Sequence, residues 1–208
     1  MSDSAGRTHK GVEMERRQYT PIAKILHWTM AVAIICAWIA GYYSSTLSLP
    51  QKIQTDSIML HKSIATITLF LLAARIPWRL MHGAPAASCG VPSLERAAAR
   101  VGHLLLYLCM LALPLSGWLW SSAAGFKIPA AGLFFLPPLM DKTPALAPVF
   151  KQVHIFLAYA IAILVCGHVL MALKHYFVDR SDSLESMLPS WLVRQRDGGQ
   201  RKERSPAG

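Results

Sequence analysis

Four runs of about 20 consecutive apolar residues dominate this chain, each long enough to cross a ~30 Å hydrocarbon core as a helix rising 1.5 Å per residue. They cover roughly 21–43, 57–79, 101–123 and 149–177. Backbone polar groups in lipid must be satisfied within their own segment, so runs of this length have to be helical. The segments between them carry breakers: Pro50 in the first, Gly83, Pro85, Gly90 and Pro92 in the second, and Pro137, Pro138, Pro144 and Pro148 in the third. The expected architecture is an all-α integral membrane four-helix bundle. Composition agrees, because only 15% of the 208 residues are charged and 53% are apolar, against roughly 25% charged in an average soluble domain. The first 20 residues are too long and too polar for a signal-peptide n-region, and no A-x-A site follows the first run, which is therefore read as a mature span.

The 21 Lys and Arg outnumber the 11 Asp and Glu, but they avoid the apolar runs instead of forming a folded basic face, so the surplus does not read as nucleic-acid binding. Sixteen of the 21 fall on the N-terminal flank, the 75–100 segment and the tail from Lys174. Lys52, Lys62, Lys127, Lys142 and Lys151 make up the other side, so both termini are expected in the cytoplasm. A polar tail (1–18), a four-span domain (19–180) and a basic tail (181–208) follow as the organisation. The basic tail is expected to lack order beyond a short interfacial SMLPSWLV stretch. Cys36, Cys89, Cys109 and Cys166 stand alone, which removes disulfide scaffolds and CxxCH haem attachment.

Ionisable residues inside a bilayer are costly and mark functional sites. Here His27 lies in span 1, His61 in span 2, His103 in span 3, His154 and His168 in span 4, and His175 at its end. His154 and His168 are fourteen residues apart, which is within about 40° of four full turns and about 21 Å of rise, so one helix face carries two imidazoles at two depths. Span 1 places His27 about 9 Å in from the cytoplasmic end, at the depth of His168, and span 2 places His61 at the depth of His154. Two pairs facing across helices at two depths form the arrangement that clamps a flat macrocycle between imidazoles, giving six-coordinate iron suited to electron transfer. Zinc would need three or four ligands at one depth, usually with Cys or carboxylate, and the span interiors hold neither Asp nor Glu. The same lack argues against a carboxylate-based proton or cation transporter.

The segments YTPIAKILHW (19–28), LHKSIA (60–65), GHLLLYLCMLALPLSGWLWSSAAG (102–125), LFFLPPL (133–139) and GHVLMALKHYFVDR (167–180) resemble, in order, the motifs of the bacterial cytochrome b561 family, which includes the cytochrome b subunits of nickel-iron hydrogenases. The resemblance covers about 18–188. It implies a bacterial inner-membrane protein with two non-covalent b-type haems that moves electrons between quinone and a redox partner, and one branch oxidises superoxide and reduces ubiquinone. Position by position it implies His27 and His168 as axial ligands of the inner haem and His61 and His154 as those of the outer. Where many relatives have HE and HHF, this chain has His154-Ile155 and His175-Tyr176-Phe177.

Around the ligands, His175 is expected on the face of His168 about 10 Å nearer the cytoplasm, either beside a propionate or quinone or snorkelling in the interface. His103 is placed to hydrogen-bond the inner haem, with replacement of His27 as its ligand the lesser alternative. Arg75 and Arg79 are placed to pair with propionates or to anchor the span. Lys151, on the face of His154, joins Lys62 and Lys142 in a positive outer approach that steers a small anion, or these lysines simply snorkel. The tryptophans Trp28, Trp38, Trp78, Trp118 and Trp120 read as interfacial belts or packing, and Pro114 as a kink that makes room for a macrocycle. The leading functional reading is a di-haem cytochrome linking the quinone pool to a periplasmic one-electron partner, with superoxide the specific candidate. A membrane-anchor subunit relaying electrons for a hydrogenase or dehydrogenase is the alternative, and a non-redox haem- or metal-handling bundle is the alternative of another class.

Overall fold

The computed structural model describes residues 18–83, 93–179 and 184–188. Four long helices follow one another: α1 (Pro21–Thr46), α2 (Gln51–His82), α3 (Ser93–Ala124) and α4 (Ala147–Phe177). All four are long and apolar enough to span a membrane. They contain 26 to 32 residues, so at ~1.5 Å per residue they outreach the ~30 Å hydrocarbon core and project beyond it. This is why α2 begins six residues before the apolar run expected at 57, and α3 eight before 101: their first turns are polar and lie outside the apolar stretch. Pro21 starts α1 behind the Thr20 cap, whose Oγ1 accepts from the Ala23 N–H at 3.3 Å. Pro77 and Pro114 sit inside α2 and α3 without ending them.

α1 packs mainly on α2 and α3 mainly on α4, so the bundle is two helical hairpins side by side with thinner contact between them. Small and hydroxylated residues let the helices approach closely. Ser44, Thr66, Thr68, Ser116, Ser121 and Ser122 are buried along with Met30, Leu72 and Ile161. The hydroxyls of Ser44, Thr66, Thr68 and Ser116 each reach the carbonyl three residues earlier, as where Thr68 Oγ1 donates to Ala65 O at 2.7 Å. Large apolar side chains such as Ile25, Val32, Ile39 and Ile163 face outward, as lipid-facing residues do.

The α3–α4 connection is not wholly irregular. It holds an antiparallel pair, β1 (Ile128–Ala130) with β2 (Phe134–Leu136), in which Ile128 opposes Leu136. β1 is buried along its length and is tied to α2 through Thr66, whose Oγ1 accepts from Ala131 N–H at 3.1 Å and shares its one proton between Pro129 O at 3.0 Å and Ser63 O at 2.8 Å. At the opposite end a 3-10 turn, Glu185–Met187, docks on the start of α1. Tyr19 N–H donates to Ser186 O, Trp28 Nε1–H to Met187 O and Lys24 Nζ to Leu188 O. Part of the expected SMLPSWLV element therefore closes the end where the first and last helices meet, and its remainder, with Cys89, falls outside the described residues.

Candidate functional site

Two groups of imidazoles lie inside the bundle, one towards each end. Near the β hairpin, His61 of α2 and His154 of α4 face each other with ring centroids 6.1 Å apart and planes at 85°. Each ring is seated in a groove of the preceding helix of its own hairpin. His61 Nδ1–H donates to Ala37 O of α1 at 2.7 Å. His154 Nδ1 lies 3.0 Å from Leu113 O of α3 and 3.1 Å from Ser116 Oγ, and that hydroxyl itself donates to Leu113 O. A carbonyl only accepts, so both rings carry their proton on Nδ1 and present an unprotonated Nε2. One turn beyond each carbonyl stands a glycine. A Cβ on Gly41 would lie 2.9 Å from Cε1 and Nδ1 of His61, and one on Gly117 would lie 2.9 Å from Cε1 and 3.1 Å from Nδ1 of His154.

At the other end His27 of α1 faces His168 of α4, with centroids 6.2 Å apart and planes at 61°. His103 of α3 is nearer still to His168, at 5.3 Å, so the inner group is a trio. Arg75 of α2 joins it: Nε donates to Tyr107 Oη at 3.2 Å and Nη2 to His27 Nδ1 at 3.0 Å, while Nη1 is buried with no protein partner among the described residues. A guanidinium has no lone pair, so His27 Nδ1 accepts, opposite to the outer rings. A cavity of about 360 Å³ opens beside this group, lined in part by Thr20, Trp78, Arg79, Arg100, His103 and Tyr107.

Other expected residues are placed differently. His175 points to Asp179, Nδ1 to Oδ2 at 2.6 Å, and Lys174 pairs at 3.0 Å with both Asp179 and Glu95 of α3. The Lys174 and His175 hydrogen bonds hold the Asp179 carboxyl below the usual carboxylate range. Ligand atoms of Glu95, His175 and Asp179 come within 4.8 Å of one another, but the Lys174 ammonium already bridges the two carboxylates. Lys151 Nζ lies 5.9 Å over the Trp120 ring, whose own centroid is 5.9 Å from that of His154. Trp120 is thus a neighbour of the outer site. Lys62 Nζ reaches Lys127 O at 3.3 Å.

Gly41, Gly117 and the Arg75–His27 contact are not evident from the histidine pattern alone, yet one interval contains them. His27 precedes Gly41 by fourteen residues, and His103 precedes Gly117 by fourteen. Arg75 follows His61 by fourteen, and His168 follows His154 by fourteen. Each hairpin therefore carries the same layout, with His103 the counterpart of His27 and Arg75 the counterpart of His168.

A four-helix membrane bundle with opposed imidazoles at two depths has the build of a membrane cytochrome. The sequence model described as prokaryotic cytochrome b561 matches residues 18–190, and the chain belongs to that family. It is 34% identical to "Cytochrome b561 homolog 2" of Escherichia coli (strain K12) over 171 residues, 82% of this chain and 91% of that protein. It is 28% identical over 177 residues to "Probable superoxide oxidase CybB" of Yersinia pestis, 83% and 97% of the two chains. "Cytochrome b561 homolog 1" of Escherichia coli (strain K12) matches at 23% over 171 residues, 79% of this chain and 93% of that one. The protein is thus a multi-pass membrane cytochrome, and b-type haem comes with the family.

Proposed function

We propose that this chain is a di-haem electron carrier of the bacterial inner membrane, moving single electrons between the quinone pool and a small periplasmic partner, superoxide. One observation carries the reading: two imidazole pairs, each drawn from both helical hairpins, with ring centroids 6.1 and 6.2 Å apart. Two metal–nitrogen bonds of about 2 Å, plus about 1 Å from each nitrogen to its ring centre, make a separation of about 6 Å. A six-coordinate iron fits that spacing. The seating of the outer rings supports the fit, because hydrogen bonds from Nδ1 to backbone carbonyls orient an imidazole and raise its basicity at Nε2. At the inner site, His27 would hold iron through Nε2 with its ring proton given up, and the Arg75 guanidinium on Nδ1 would balance the charge left on the ring. The buried Nη1 of Arg75 needs an acceptor, which a haem carboxylate in the adjoining cavity would supply.

Haem iron supplies a one-electron ferric/ferrous couple at each position. The chain does the rest. His61 and His154 would hold one haem and His27 and His168 the other, and with two protein nitrogens on each iron an electron would pass without a bond to iron being made or broken. Superoxide becomes dioxygen on losing one electron, and two such electrons with two protons convert a quinone to a quinol. Lys62, Lys127, Lys142 and Lys151 cluster at the hairpin end as a positive approach for an anion. The 16-to-5 division of Lys and Arg supports both termini being cytoplasmic, which puts that end in the periplasm. The relative named as a probable superoxide oxidase supports the choice of partner. A reduced-minus-oxidised spectrum of the purified protein with pyridine haemochrome stoichiometry tests the reading. Two b-type haems per chain are expected, and one or none overturns it.

A further inference from the structure

We propose that Gly41 and Gly117 are positioning residues that hold the His61 and His154 rings crossed, giving the outer site an electronic structure unlike that of the inner one. This rests on the di-haem reading above. The two rings are fixed by matching devices. Each Nδ1 is tied to a backbone carbonyl, Ala37 O or Leu113 O. The glycine one turn on lets the ring lie against the helix backbone where any Cβ would intrude at 2.9 Å. A hydrogen bond alone leaves a ring free to pivot about that bond, and the flat backbone surface at the glycine removes the freedom. The result is a plane angle of 85°, against 61° for His27 and His168, against neither of which a glycine is seated in this way among the described residues.

The angle matters because each imidazole π orbital raises whichever of the iron dxz and dyz orbitals it overlaps. Parallel rings raise the same orbital and split the pair, giving an ordinary rhombic low-spin ferric signal. Crossed rings raise both alike, leaving them nearly degenerate, and orbital angular momentum then makes the g-tensor strongly anisotropic. The axial ligands are among the levers a protein has over haem electronics, and here four histidines of the same type differ between the sites in the rotation of their rings as well as in what Nδ1 touches.

Low-temperature EPR of the oxidised, purified protein is the test. Wild type should give one ramp-shaped, strongly anisotropic signal and a second, less anisotropic one. The first should vanish in His61→Ala and persist in His27→Ala. Gly41→Ala and Gly117→Ala add a good helix former but force the ring to turn, so the ramp signal should give way to a rhombic one while the second signal stays. Gly102→Ala, where a Cβ meets nothing within 4 Å, should change neither. Two ordinary rhombic signals in wild type overturn the proposal while leaving the di-haem reading intact, and this holds even if the glycine variants lose haem. Unchanged signals in Gly41→Ala and Gly117→Ala with both haems retained overturn it too. Fewer than two haems in wild type removes the underlying reading along with it.

Discussion

At the scale of single residues, the histidines divide by what their Nδ1 atoms touch. His61 and His154 donate to carbonyls, His27 accepts from Arg75, and His103 stands closer to His168 than His27 does. The sharpest prediction is therefore a pattern of loss. His61→Ala and His154→Ala should each remove one and the same haem, and His27→Ala and His168→Ala the other, as counted by pyridine haemochrome and followed in the reduced-minus-oxidised spectrum. His103→Ala should keep both haems and shift only the inner one's spectrum. If His103→Ala instead removes a haem that His27→Ala retains, α3 supplies the inner ligand. The sequence reveals these histidines because a charged or polar ring in an apolar run is conspicuous. The glycines are silent there, since a glycine in a membrane helix is commonplace and its meaning depends on which ring lies against it.

At the scale of elements, the bundle end away from the termini is organised by the β hairpin. Non-helical backbone at membrane depth persists only where its polar groups are satisfied by protein, and Thr66 Oγ1 serves both Pro129 O and Ala131 N–H. Thr66→Val keeps the shape and deletes both bonds, leaving buried groups unpaired at a cost of about 1–3 kcal/mol each. Thermal unfolding in detergent should show the loss, and amide exchange should rise at Ala131 before it rises in α2. The four helices are legible from the sequence because hydropathy over about 20 residues is a strong signal. Their ends are less so: the polar first turns of α2 and α3 are continuous with the spans in space but not in hydropathy. The strands are three residues long, too short for any alternating pattern to register. His175, expected on the face of His168, has a carboxylate four residues on as its partner, a local pairing that helix geometry alone does not rank. Because the Asp179 carboxyl is held low, its pairing favours the folded state above the unfolded carboxylate pKa and is lost as pH falls through the folded value.

At the scale of the whole molecule, charge separates the two ends. A small anion approaching the hairpin end should be drawn by the lysines there, through a field that salt screens with a Debye length of ~10 Å at 0.1 M. Haem reduction by a superoxide pulse should slow as salt rises. Lys151→Glu should slow it several-fold at low salt and Lys10→Glu hardly at all, with both haem spectra unchanged. A rate indifferent to salt and to Lys151→Glu would leave the anchor-subunit reading standing in place of superoxide. The hairpin-by-hairpin build reaches further than electron transfer. The first two helices carry His27 and His61 and the last two carry His154 and His168, so neither half owns a complete pair. If the irons are held as proposed, each would be a clasp between halves that otherwise share few contacts, and haem supply would decide whether the newly made polypeptide closes up. Cut between α2 and α3 and expressed as two fragments, the protein should reunite only in cells that make haem, and either fragment alone should be cleared by proteolysis.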